Sequence, residues 1–135
     1  MKQLKLAGIG LLVALTVLAV GYLWGARGRW AAEERLAAME RQWRLADARR
    51  EALAGSVEIY KLNFGAAVGH FETARATAAS TATALDAAGL LGRGGNARSA
   101  ATHLDEARAL ASKLDQAAGQ KAAAAIGELD QAAAP

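Results

Sequence analysis

The stretch NFGAAVGHFETARA, residues 63–76, returns thirty-three residues later as NARSAATHLDEARA, residues 96–109. The chain has two asparagines, Asn63 and Asn96, and two histidines, His70 and His103, and both pairs keep this offset. Ala67 aligns with Ala100, Phe71 with Leu104, Glu72 with Asp105, and Ala74-Arg75-Ala76 with Ala107-Arg108-Ala109. Alanine matches are easily produced by composition, whereas paired Asn, His and Arg are not. A period near thirty-three residues is that of helix-turn-helix repeats.

Outward from this pair the pattern is helical. Steps of three and four residues from Leu36 land on Met39, Trp43, Ala46, Arg50, Leu53, Val57, Tyr60, Phe64, Ala67, Phe71, Ala74, Ala78, Thr81 and Leu85. A seven-residue period held that long predicts helices with one apolar stripe, in a coiled coil or a bundle. A second stripe follows at Leu104, Ala107, Ala111, Leu114, Ala118, Ala122, Ile126 and Leu129. Strand alternation is absent, and abundant Ala, Leu, Glu and Arg favour helix, so the expected class is all-α. Gly55-Ser56, Gly65 and Gly69 interrupt the first stripe, and GLLGRGGN at residues 89–96 reads as a turn. Asn96 is placed to cap the helix after it, and Asn63 to cap one beginning at Phe64.

The repeated pattern resembles the tetratricopeptide repeat over roughly residues 48–113. Leu62-Asn63-Phe64 looks like that family's turn into its second helix, with Ala67, Phe71 and Ala74 in the small-large-small places. Gly95-Asn96-Ala97 repeats the turn, with Ala100, Leu104 and Ala107. Gly55 and Ala88 match the small first-helix residue at which the two helices of a hairpin touch. The sequence departs from the family at Glu51 and Ala84 in place of an aromatic, at Ala79 and Ser112 in place of a closing proline, and at Leu62 where glycine is usual. The resemblance implies two helical repeats, residues 55–88 and 97–135, and a groove that binds a partner's helix or tail. The competing reading is a long helix that folds back at residues 89–96 as an antiparallel hairpin.

The N-terminal part reads differently. After a short basic tail, residues 1–5, twenty-one residues (6–26) pass without a charge, and ten of them are Leu, Ile or Val. At 1.5 Å per residue they extend ~32 Å, which predicts a single transmembrane helix. Tyr22, Trp24 and Trp30, with Arg27 and Arg29, would then sit at the membrane interface. Basic residues behind the segment outnumber those before it, which places the following body on the cytoplasmic side of a bacterial inner membrane. Residues 27–54 form the juxtamembrane amphipathic helix of this reading. A cleaved signal peptide ending near Gly21 is the rival.

Composition narrows the chemistry. With 37 alanines in 135 residues, the core gains little from each buried side chain. No cysteine is present, so there is no disulfide framework, thiolate metal site or cysteine nucleophile. The net charge of +3 comes from Lys2, Lys5, Arg27 and Arg29 around the apolar run, and the remainder carries twelve basic and thirteen acidic side chains. That balance gives no nucleic-acid stripe. Neither histidine has a ligand at HExxH-like spacing, so no metal is expected. The glycine-rich stretch lacks the Lys-Ser or Lys-Thr of a phosphate loop, and neither a nucleophile elbow nor a cofactor motif is present.

These observations lead to a membrane-anchored helical scaffold without catalysis of its own. Its partners are lipid and other proteins, met through helix packing at Trp43, Tyr60, Phe64 and Phe71. The alternatives are a self-assembling coiled-coil, that is a homo-oligomer, or small single-pass subunit of a larger complex, and an exported soluble helical protein.

Overall fold

The computed structural model describes the backbone of residues 2–134 and the side chains of residues 12–25 and 28–134. Among the described residues there are four helices and no strand: α1 (Lys2–Tyr60), α2 (Phe64–Ala87), α3 (Leu91–Ala111) and α4 (Ala118–Ala133). The chain forms two units, Met1–Ala38 and Met39–Pro135.

The first unit is the N-terminal part of α1, and it corrects the transmembrane expectation. Among the described residues no helix is long and apolar enough to cross a membrane. Residues 6–11 and 26, which the expected span also needed, have side chains outside the described residues. The predicted single-pass localisation with a cytoplasmic body rests on that span and is corrected with it. Within residues 12–25, Leu12, Val13, Leu15, Val17, Leu18, Val20, Tyr22, Leu23 and Trp24 are all exposed.

The second unit is a four-helix bundle made of residues 39–60 of α1 with α2, α3 and α4. Each helix gives it one stripe at alternating steps of about three and four: Leu45, Ala48, Ala52, Gly55 and Ile59 from α1, and Ala67, Phe71, Ala74, Ala78, Thr81 and Leu85 from α2. From α3 come Ala97, Ala100, Leu104, Ala107 and Ala111, and from α4 Ala118, Ala122, Ala125, Leu129 and Ala132. Fourteen of the twenty buried apolar residues described are alanine, so the helices pack largely on methyl groups, which permit close approach. Thr81, the one buried polar side chain described, satisfies its hydroxyl by donating to Thr77 O at 2.7 Å.

Side-chain ties run round the bundle. His70 Nδ1 lies 2.8 Å from Glu51 Oε2 between α2 and α1, and Glu72 meets Arg108 at 3.3 Å between α2 and α3. Lys121 meets Glu106 at 2.7 Å between α4 and α3. Arg49 meets Asp130 at 2.7 Å between α1 and α4. With Ile59 beside Gly119 and Arg49 beside Asp130, α4 runs antiparallel to α1, and the order is up-down-up-down with α1 next to α4. Exposed ion pairs of this kind add little stability. Their value here is to set which residues of adjacent helices face each other.

The three helix ends share one device. At the end of α1, Leu62 N donates to Ile59 O and Asn63 N to Glu58 O. At the end of α2, Gly89 N donates to Asp86 O and Leu90 N to Leu85 O, and after α3, Leu114 N donates to Ala111 O and Asp115 N to Leu110 O. This is the Schellman pattern, which requires a left-handed residue just past the helix. Gly89 holds it at φ 76 without cost, while Leu62 and Leu114 are both at φ 59. A leucine there suffers contact of its Cβ with the following carbonyl, worth about 1–2 kcal/mol. Leu62 is exposed, so little burial is lost by removing its side chain. Leu62→Gly is expected to raise unfolding free energy by ~0.5–1 kcal/mol, the relief being partly offset by the greater entropy of glycine in the unfolded chain. Urea denaturation of the two proteins measures it.

Two turn expectations are corrected by these ends. The turn predicted at residues 89–96 is confined to Ala88, Gly89 and Leu90. Gly92, Gly94, Gly95 and Asn96 all lie inside α3, so Asn96 caps nothing. Asn63 does occupy the N-cap position of α2, but its side chain makes no capping bond. It donates instead to Glu58 Oε2 at 2.8 Å.

Candidate interaction surface

The opening repeat acquires a physical meaning in the α2–α3 hairpin. Because the two helices are antiparallel, the equivalent segments Glu72-x-x-Arg75 and Asp105-x-x-Arg108 face each other about a local two-fold. Arg75 pairs with Glu72 at 2.6 Å and Arg108 with Asp105 at 3.1 Å, while Arg108 reaches Glu72 at 3.3 Å and Arg75 lies 3.9 Å from Asp105. The result is a closed ring of four alternating charges. The Arg75 hydrogen bond holds the Glu72 carboxyl below its ordinary value, and the same bond raises Arg75. Beneath the ring, Phe71 and Leu104 are both fully buried. The ring neutralises itself and leaves no net charge for a ligand.

The two histidines occupy unlike surroundings. His70 bridges to Glu51, and its hydrogen bond is the main cause of the lowered Glu51 carboxyl. His103 has a buried Nδ1 without a hydrogen-bond partner, 3.6 Å from Glu106 Oε2. Glu106 is itself held below its ordinary value chiefly by Lys121.

The predicted contact residues separate. Phe71 is fully buried: its ring lies over Gly55, where an added Cβ would be 2.5 Å from Phe71 Cε1. A partner cannot reach it, so its assignment to a binding face is corrected. Phe64 is partly buried and packs on the core. Trp43 and Tyr60 are 73% and 88% exposed. Tyr22, Trp24, Arg29 and Trp30 are exposed in the first unit, with no span among the described residues for them to flank, and the Arg27 side chain lies outside the described residues.

Around Trp43 the surface is organised. Met39, Trp43, Leu53, Val57 and Tyr60 are all exposed, and with Ala46 and Arg50 they follow one another at alternating steps of four and three. This is the helical stripe expected from the sequence, but over residues 39–60 it faces away from the bundle. The buried stripe of α1 is offset from it by two residues, or ~200° of helical rotation, so the two lie on opposite sides. At the turn of residues 61–63 the same phase passes inward and becomes the core of α2. Met39, Gln42, Trp43 and Ala46 line a shallow depression of ≈ 280 Å³ on the outer face. A second cleft of ≈ 510 Å³, lined by Ile59, Tyr60, Gln116, Ala117, Gly119, Gln120 and Ala123, carries only neutral side chains.

No protein-family model, curated protein or solved structure matches the chain.

Proposed function

We propose that the chain is a protein-interaction module without catalysis, in which the four-helix unit holds α1 and offers its outer stripe to a partner helix. The observation that carries this reading is the exposure of Met39, Trp43, Leu53, Val57 and Tyr60 on one line, opposite a side of the same helix that is fully used by the core. Contiguous exposed apolar surface on a folded domain marks a contact site. Anchors at i, i+4 and i+7 spacing are how helices are recognised. The charged surface supports the same reading, because the α2–α3 ion ring and the cross-helix pairs are satisfied internally.

A photo-crosslinking residue at Trp43 in the full chain tests it. A protein adduct is expected at Trp43 and none at Thr102, which is exposed on α3. Equal labelling at the two positions, or none at Trp43, overturns the proposal.

A further inference from the structure

The occupant of the outer stripe can be identified from the residues that compose it. In coiled-coil terms Trp43, Arg50 and Val57 are a positions, and Met39, Ala46, Leu53 and Tyr60 are d positions. Met39, Gln42, Trp43 and Ala46, the four residues lining the depression, are then consecutive d, g, a and d positions. That quartet is the hole into which a facing helix inserts one knob. The depression thus has the form of half a helix-helix seam.

Placing a second α1 antiparallel about the middle of this segment sets Met39 against Val57 of the second copy and Trp43 against its Leu53. Ala46 then meets Arg50. Each large side chain faces a smaller one, and Leu53 is the knob for the hole around Trp43. The polar members are matched as well. Arg50 already pairs with Asp47 at 2.8 Å and Glu51 at 3.1 Å on its own helix. In the antiparallel register its stem covers Ala46 of the second copy and its guanidinium meets that copy's Asp47, twice by symmetry. Arg49, which flanks the centre, is neutralised by Asp130. A parallel pairing instead sets Arg50 against Arg50 and Trp43 against Trp43 across the seam, and facing like charges are destabilising. The exposed side chains within the pairing, Met39, Trp43, Leu53 and Val57 with Ala46 and the stem of Arg50, present roughly 600 Å² per copy, so the pair buries an area near the lower bound of a specific interface.

We infer that this chain self-associates through an antiparallel pairing of residues 39–57 of α1, with the second copy's Leu53 seated between Met39, Gln42, Trp43 and Ala46. The inference rests on the outer stripe being a contact surface and names the partner as a second copy. The chain has no cysteine, so single thiols report cleanly. Met39→Cys and Val57→Cys full-length chains are mixed and treated with a short thiol crosslinker. The mixed adduct is expected to dominate, because eighteen residues, or ~27 Å of helix, separate Met39 from its own counterpart in this register. Adding Trp43→Ala to both chains is expected to weaken pairing about thirtyfold or more, as for a central aromatic anchor. Circular dichroism of each variant checks that the bundle is intact. Adducts of Met39→Cys with itself overturn the register, and a chain that stays monomeric overturns self-association. If the chain does not pair but a photo-crosslinker at Trp43 still captures a different protein, the wider reading stands and this one fails. If neither occurs, both fail.

Discussion

Phe71→Ala is expected to lower the unfolding free energy by about 3–5 kcal/mol, the usual cost of removing a fully buried phenylalanine. Phe71 is the largest fully buried side chain described, in a core whose other members are mostly alanine. A unit of this size has only about 5–15 kcal/mol in total. The alanines that make up most of this core cannot swing in to fill the space, because a methyl has no rotamer to change. The contact can be isolated through Gly55. In the native bundle Gly55→Ala drives a methyl against the Phe71 ring, 2.5 Å from Cε1, and the ring, buried on every side, can yield only by disturbing the core. Its cost is expected to be ~1–3 kcal/mol. In the Phe71→Ala background the same change meets open space and is expected to stabilise by about 1 kcal/mol, the helix-propensity difference between glycine and alanine. Urea denaturation of the four proteins reads the cycle. If Gly55→Ala has the same sign in both backgrounds, the two residues do not touch.

This pair also shows where sequence reasoning stopped. Phe71 appears as an aromatic on an apolar stripe and Gly55 as an interruption of a helix, and neither property says that one accommodates the other. Stripes built on large residues were legible: Phe71, Leu85, Leu104 and Leu129 all lie on predicted lines and all are buried. The buried stripe of α1 was not, because Ala48, Ala52 and Gly55 differ too little in hydropathy from exposed Ala46 or half-buried Ala54 to mark a face. The stripe that did stand out, through Met39, Trp43 and Val57, is the outer one. The turn of residues 61–63 has neither glycine nor proline, and only the structure shows that Leu62 takes the left-handed conformation. The glycine-rich stretch erred the other way. Most of its glycines lie within α3, where packing against α2 and α4 outweighs their weak helix propensity. Trp43 and Tyr60 were found as candidate contacts because they are large and apolar, and that property could not separate them from Phe71.

Ala74→Leu is expected to destabilise the bundle by about 1–3 kcal/mol, whereas Ala76→Leu, two residues away on the exposed side of α2, is expected to stay within ~0.5 kcal/mol of the parent. Alanine and leucine have nearly the same helix propensity, so the difference isolates packing. Ala74 is fully buried and its repeat equivalent, Ala107, is likewise buried on α3. Above them sits the ion ring of Glu72, Arg75, Asp105 and Arg108, whose short contacts require the two helices to stay close. A leucine at Ala74 must push α2 and α3 apart, which also draws Arg108 from Glu72. A neutral Ala74→Leu would mean that the alanine seam is loose and that small residues there reflect composition alone. If the seam is tight, the distribution of side chains follows from it. A bundle closed on methyl groups has no room inside for Met39, Trp43, Val57 or Tyr60. These residues stay exposed on the outer face of α1, the surface on which the proposed pairing is built.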